Sequence, residues 1–91
     1  MAMAVRRRVV AHGRVQGVFF RDSAQRMATS AAVSGWVRNR NDGAVEAVFE
    51  GEADAVDRMV AWMRQGPRRA YVERVEVADE APVGESGFRV R

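Results

Sequence analysis

Trp36-Val37-Arg38-Asn39-Arg40-Asn41-Asp42-Gly43-Ala44-Val45-Glu46-Ala47-Val48-Phe49-Glu50 is the stretch whose reading decides the fold. Two short runs, Trp36 to Arg40 and Ala44 to Glu50, flank Asn41-Asp42-Gly43, a hairpin signal. A two-residue turn at Asp42-Gly43 would place Arg38 and Arg40 on the face that carries Val45, Ala47 and Phe49, burying guanidinium groups against a core. A three-residue loop with Gly43 in the left-handed conformation shifts the pairing by one residue and removes that conflict. Val37 and Asn39 then share the inner face with Val45, Ala47 and Phe49. Trp36, Arg38 and Arg40 share the outer face with Glu46 and Glu50, and Arg38 lies opposite Glu46. Such a cross-strand charge pair contributes roughly 0.2–1 kcal/mol. The register leaves Asn39, a polar amide, on the inner face near the end of its strand.

Working outward, Val5 to Gly13 reads as a strand that leads into Arg14-Val15-Gln16-Gly17-Val18-Phe19-Phe20-Arg21. Asp22 has the position of a helix N-cap, and Gln25 completes a capping box. Ala24, Met27, Ala28, Ala31 and Ala32 give the following helix one thin apolar face, and Gly35 is expected to end it. Beyond the hairpin, Val56, Met59, Val60 and Met63 share one face of a second helix. Asp54 and Asp57 lie near its start and Arg64 near its end, as the helix dipole favours. Gly66-Pro67 stops it. Val72 to Val77 is a further strand, and Phe88 to Val90 a short terminal one. The order β-α-β-β-α-β plus an edge strand predicts an α+β, ferredoxin-like fold. Its antiparallel sheet of four to five strands carries both helices on one face and leaves the other open to solvent.

The chain has 91 residues, enough for one compact domain over residues 1–91. With 47% apolar residues it can form a core without staples, and the absence of cysteine excludes disulfides, thiolate metal sites and a cysteine nucleophile. No apolar run approaches a membrane span, and Arg6-Arg7-Arg8 leads into Val9-Val10 as a strand start rather than a signal peptide. A cytoplasmic protein without membrane contact is the expectation. The net charge is +3 and all 15 basic residues are arginine, which excludes Schiff-base chemistry and a lysine P-loop. Arginine suits forked contacts to phosphate oxygens, but most of these residues read as a composition bias spread over the surface.

Val15 to Arg21 is the segment where chemistry is best placed. A strand runs through a glycine-containing loop into a helix. Loop amides and the helix N-terminus can converge on an anion, and Arg21 adds a forked cationic donor. The same residues also read as an ordinary strand-to-helix turn with a surface arginine, because one glycine is a weak signal.

Gly13-Arg14-Val15-Gln16-Gly17-Val18-Phe19-Phe20-Arg21 resembles the first signature of the acylphosphatase family. Gly35-Trp36-Val37-Arg38-Asn39-Arg40-Asn41-Asp42-Gly43-Ala44-Val45-Glu46 resembles the second, at a similar spacing. The likeness continues more weakly to Phe88 and so covers essentially the whole chain. The resemblance implies hydrolysis of the carboxyl–phosphate anhydride bond of acyl phosphates. It makes Val15, Gln16, Gly17, Val18, Phe19, Phe20 and Arg21 the phosphate cradle, a place for inorganic phosphate or sulfate. Arg21 and Asn39 would be the catalytic residues, Asn39 by orienting the attacking water. It implies no metal, cofactor or covalent intermediate. The default oligomeric state is a monomer.

Other residues invite weaker readings. His12, the one histidine, has the strand parity of Arg8 and Val10 and belongs on the open face rather than in a catalytic pair. Glu46, Glu50, Glu52, Asp54 and Asp57 read as solubility and dipole residues rather than metal ligands, and Met59 and Met63 as core. Ser23 and Ser30 have no neighbouring histidine. Trp36 either flanks the site or packs on the open face. An alternative function is a small RNA-binding module on the same fold. Its open face would offer Arg8, Val10, His12, Glu46, Val48 and Glu50 from the two central strands, a poor stacking platform, and nucleic acid is not the expected partner. A carbamoyl-phosphate-handling domain is the other alternative.

Overall fold

Strands β2 (Ser34–Asn39) and β3 (Val45–Glu52) pair with Val37 opposite Ala47, Arg38 opposite Glu46 and Asn39 opposite Val45. This is the register that keeps the arginines off the core. Gly43 has φ 93°, and the loop closes through Arg40 N–H donating to the Ala44 carbonyl at 2.8 Å. Arg38 Nε donates to Glu46 at 2.8 Å on the outer face. The computed structural model describes residues 4–91. The other elements are β1 (Ala4–Arg14), α1 (Phe20–Ser30), α2 (Ala53–Gln65), β4 (Tyr71–Glu80) and β5 (Phe88–Val90).

The strand order is β4-β1-β3-β2-β5. β1 pairs antiparallel with β3 and β4, and β2 with β3. β5 departs from the expected antiparallel sheet by pairing parallel to β2, with Val37 opposite Val90. The cause is the route of the chain. β4 and β5 occupy opposite edges, so residues 81–87 must cross the sheet and reverse direction. They cross the outer face over Glu50, a buried carboxylate that accepts the N–H groups of Val83, Gly84 and Glu85 at 2.8–3.0 Å. Glu50 also accepts Arg6 Nη1 at 3.1 Å, and Arg6 bridges onward to Glu80 and Glu85. Arg8 pairs with Glu46 and Glu80 beside them. The outer face is therefore not simply open: ion pairs and a strap of main chain cover much of it. Trp36 packs there with 6% of its surface exposed, beneath the guanidinium groups of Arg8 and Arg91.

The inner face holds the core. Val9, Ala11, Val37, Val45, Ala47 and Phe49 of the sheet meet Ala24 and Ala28 of α1 and Val56, Met59 and Met63 of α2. Phe49 stacks on Phe88 at 5.7 Å between centroids, and Phe20 meets Trp62 edge-on at 5.2 Å. Burying one such ring stabilises by about 1.5–3 kcal/mol. Two expectations for α1 change. The helix ends at Ser30 rather than near Gly35. Ala32 turns left-handed (φ 58°) and closes a Schellman motif, with Val33 N–H on the Ala28 carbonyl and Ala32 N–H on that of Thr29. Gly35 lies inside β2, where a Cβ would stand 1.8 Å from the Val48 carbonyl oxygen; close strand approach demands the glycine. The helix also starts earlier than Asp22, as described below. Among the described residues no helix is long and apolar enough to cross a membrane.

Burial alone would push the Glu50 carboxyl up, but the Val83 amide, Arg6 and the amides of Glu85 and Gly84 together outweigh it and hold it below the ordinary carboxylate range. A carboxyl depressed in the folded state contributes stability that is full above its unfolded value, about 4.3, and is lost as pH falls through the folded value. Glu50→Gln should therefore lower the melting temperature clearly at pH 7, by about 4–8 °C for each kcal/mol lost in a domain of this size. The gap to the parent should narrow below pH 4, as thermal unfolding across pH would show.

Candidate active site

Between the end of β1 and the start of α1 the backbone alternates in hand. Gly17 has φ 75° and Phe19 φ 65°, while Val18 between them and the helical Phe20 after them are not left-handed. Alternation of this kind turns successive N–H groups to one side and makes an anion-binding concavity. Phe19 is the residue preceding the helix, in the left-handed conformation with ψ 27°, and no side chain caps the first turn. A bulky residue in this region costs roughly 1–2 kcal/mol. The expected capping box is absent. Asp22 lies within the first turn and pairs with Arg26 at 3.2 Å, and Gln25 reaches away to the Phe88 carbonyl. The physical reason is that burial of Phe20 in the core starts the helix three residues earlier, with Phe19 rather than Asp22 in the capping position. The first-turn N–H groups thus stay without a side-chain acceptor, at the positive end of the helix dipole.

Beside this helix start lies a cavity of about 380 Å³ lined by Val15, Gly17, Phe19, Phe20, Arg21, Asp22, Asn39 and Val90. The two sequence motifs therefore meet in one place: Arg21 from the first turn of α1 and Asn39 from the last residue of β2. Val15 is buried and anchors the loop, while Gln16 and Val18 do not line the cavity with the others. The Gln16 side chain clips the loop to the hairpin, donating to the carbonyls of Arg40 at 2.7 Å and Ala44 at 3.0 Å. It fixes the loop against the strand end that carries Asn39. Arg21 Nη1 makes a long contact, 3.5 Å, to the main-chain oxygen of Arg91.

The acylphosphatase family model matches residues 7–90. The chain belongs to the acylphosphatase family. A protein named acylphosphatase from Rubrobacter xylanophilus is 61% identical over 85 residues, covering 92% of this chain and 77% of the relative. Another from Gloeobacter violaceus is 52% identical over 90 residues, covering 99% of this chain and 97% of the relative. The solved acylphosphatase from Coxiella burnetii superposes with TM-score 0.92 at 38% identity, covering 97% of this chain and 93% of that one. This enzyme is accordingly a hydrolase of acyl phosphates, and neither the RNA-binding nor the carbamoyl-phosphate reading gains support.

Gln16 was expected in the cradle through its main chain, but its side-chain clip to the hairpin and the Val90 wall were not. Gln16 carries no pattern that announces two main-chain acceptors on a distant turn. Val90 did leave a signal: it has the strand parity of Phe88, whose ring is buried in the core. His12 is where its parity placed it, on the outer face against Glu76 of β4 and outside the cavity lining. Among the described residues no group of three or more His, Asp or Glu could hold a metal ion. His12→Gln should leave kcat and its pH profile unchanged within error, which steady-state assays between pH 5 and 8 would check.

Proposed function

We propose that this acylphosphatase works by a main-chain phosphate cradle over Val15 to Arg21, with Arg21 and Asn39 as its catalytic side chains. The observation that supports the reading is the left-handed, uncapped entry to α1, whose residues line the same cavity as Arg21 and Asn39. The amides of Gln16 to Phe20 and the Arg21 guanidinium hold the phosphoryl oxygens, the guanidinium by a fork no point charge reproduces. Asn39 accepts a hydrogen bond from the attacking water and donates one to it or to a phosphoryl oxygen, keeping the water's lone pair in line with phosphorus. The water oxygen bonds to phosphorus as the bond from phosphorus to the acyl oxygen breaks, and the electron pair leaves with the carboxylate. The carboxylate is a good leaving group, so positioning and charge stabilisation are what the protein must supply. Each preorganised donor in a site of this kind contributes ~2.7–4 kcal/mol to the transition state. The water's proton passes to a phosphoryl oxygen, because Asp22, the one carboxylate on the cavity wall, is paired with Arg26. Metal-free chemistry by a monomeric cytoplasmic enzyme of one domain, with phosphate or sulfate as a ligand of the loop, belongs to the same proposal.

Purified protein should hydrolyse a simple aryl acyl phosphate and keep its full rate after exhaustive chelation. Loss of activity restored by one metal would overturn the metal-free mechanism.

Inorganic phosphate should inhibit competitively, and Arg21→Lys should weaken both that inhibition and turnover. Asn39→Ala should lower kcat by 100-fold or so, about the effect of removing one transition-state donor, while leaving the phosphate inhibition constant nearly unchanged. If Asn39 only ties down the hairpin end, the variant would instead lose melting temperature and keep its kcat per folded molecule.

A further inference from the structure

The chain has four phenylalanines. Phe49 and Phe88 are buried and stacked on each other, and Phe20 is buried against Trp62. Phe19 is the exception, 66% exposed and outside the core cluster, yet on the wall of the catalytic cavity. It also occupies a left-handed position, φ 65°, where glycine or asparagine would serve the backbone with less strain. Neither folding nor the cradle explains a phenyl ring here: the cradle uses the residue's main chain, and the core does not use its side chain. An exposed ring in a sparsely populated backbone conformation beside a reaction centre points to function.

The chemistry of the substrate supplies that function. When the phosphoryl group lies in the cradle, the acyl group must project towards the mouth, where the apolar walls are Phe19 and Val90, 66% and 40% exposed. We propose that Phe19 is a specificity-determining residue whose ring forms, with Val90, an apolar platform for the acyl group, so that aryl and other flat apolar acyl phosphates are favoured over short ones. A flat group can lie offset or edge-on against the ring, whereas an acetyl group is too small to cover it. The proposal rests on the cradle reading given above and names the substrate class it would select.

The test is the ratio of kcat/KM for benzoyl phosphate to that for acetyl phosphate. It is measured for the parent enzyme, Phe19→Asn and Phe19→Tyr, with melting temperatures on the same preparations. Asparagine tolerates the left-handed backbone and removes the ring; tyrosine keeps the ring. Any damage to the cradle falls on both substrates and cancels in the ratio. In Phe19→Asn the ratio should fall about 2- to 13-fold, which is ~0.5–1.5 kcal/mol of aromatic contact at 1.36 kcal/mol per tenfold. Phe19→Tyr should keep the parental ratio. An unchanged ratio in Phe19→Asn, with both substrates slowed alike or not at all, would overturn the acyl platform while leaving the cradle intact. Failure of the parent to hydrolyse either compound would overturn the cradle reading and the platform with it.

Discussion

One buried carboxylate organises the side of the molecule that the helices do not cover. Glu50 collects three consecutive amides of the β4–β5 crossing and the guanidinium of Arg6. A carboxylate that accepts several N–H groups is held ionised and in place, and the groups it holds are fixed in turn. The crossing starts at one sheet edge and must deliver β5 to the other, beside β2. Pinned at its middle, it brings Phe88 onto Phe49 in the core and Val90 onto the wall of the cavity between Arg21 and Asn39. Arg91 follows, with its N–H on the Val37 carbonyl and its main-chain oxygen beside Arg21. A contact on the outer face thus sets the position of two site elements reached from the inner face.

Reading the sequence succeeded wherever the deciding interaction was local. Asp42-Gly43 and the alternation on either side of it contain enough to choose the hairpin register, because the wrong register buries Arg38 and Arg40. That choice alone put Asn39 on the inner face, where the structure has it lining the cavity. The parity of His12 along β1 likewise placed it on the outer face. What failed was non-local. Asp22 has the spacing of a capping residue, and only the burial of Phe20 against Trp62 shows why the helix begins before it. Gly35 resembles a helix stop until the Val48 carbonyl of the neighbouring strand is seen to fill the space of its missing Cβ. The parallel pairing of β5 depends on a crossing whose anchor, Glu50, lies more than thirty residues away in sequence and reads locally as a solvated acid.

The distribution of arginine separates composition from function. On the outer face Arg6, Arg8 and Arg38 are matched by Glu46, Glu50, Glu80 and Glu85. Burial raises the Glu46 carboxyl, and the hydrogen bonds and charges of Arg8 and Arg38 more than reverse it. These guanidinium groups already have their anions and offer little to a ligand. Arg21 differs: among the described residues no Asp or Glu side chain pairs with it, and its one contact is the main-chain oxygen of Arg91 at 3.5 Å. A carboxylate partner there would compete directly with phosphate, and the binding energy of the fork would be spent within the protein.

The same logic applies to the start of α1. A side-chain cap would have stabilised the helix by about 1 kcal/mol, and a glycine at position 19 would have removed the strain of a left-handed phenylalanine. The protein does neither, and both departures fall within one turn of the cavity. An acidic or hydroxyl cap would occupy the amides that an anion needs. The nearby Asp22 is turned aside to Arg26, which lowers the repulsion it would exert on a bound phosphoryl group. The local instability is offset by neighbours that are over-determined: Phe20 is locked against Trp62, Val15 is buried, and Gln16 is tied twice to the hairpin. The loop is therefore tied at its ends and uncapped in its middle, the arrangement that the proposed anion cradle requires.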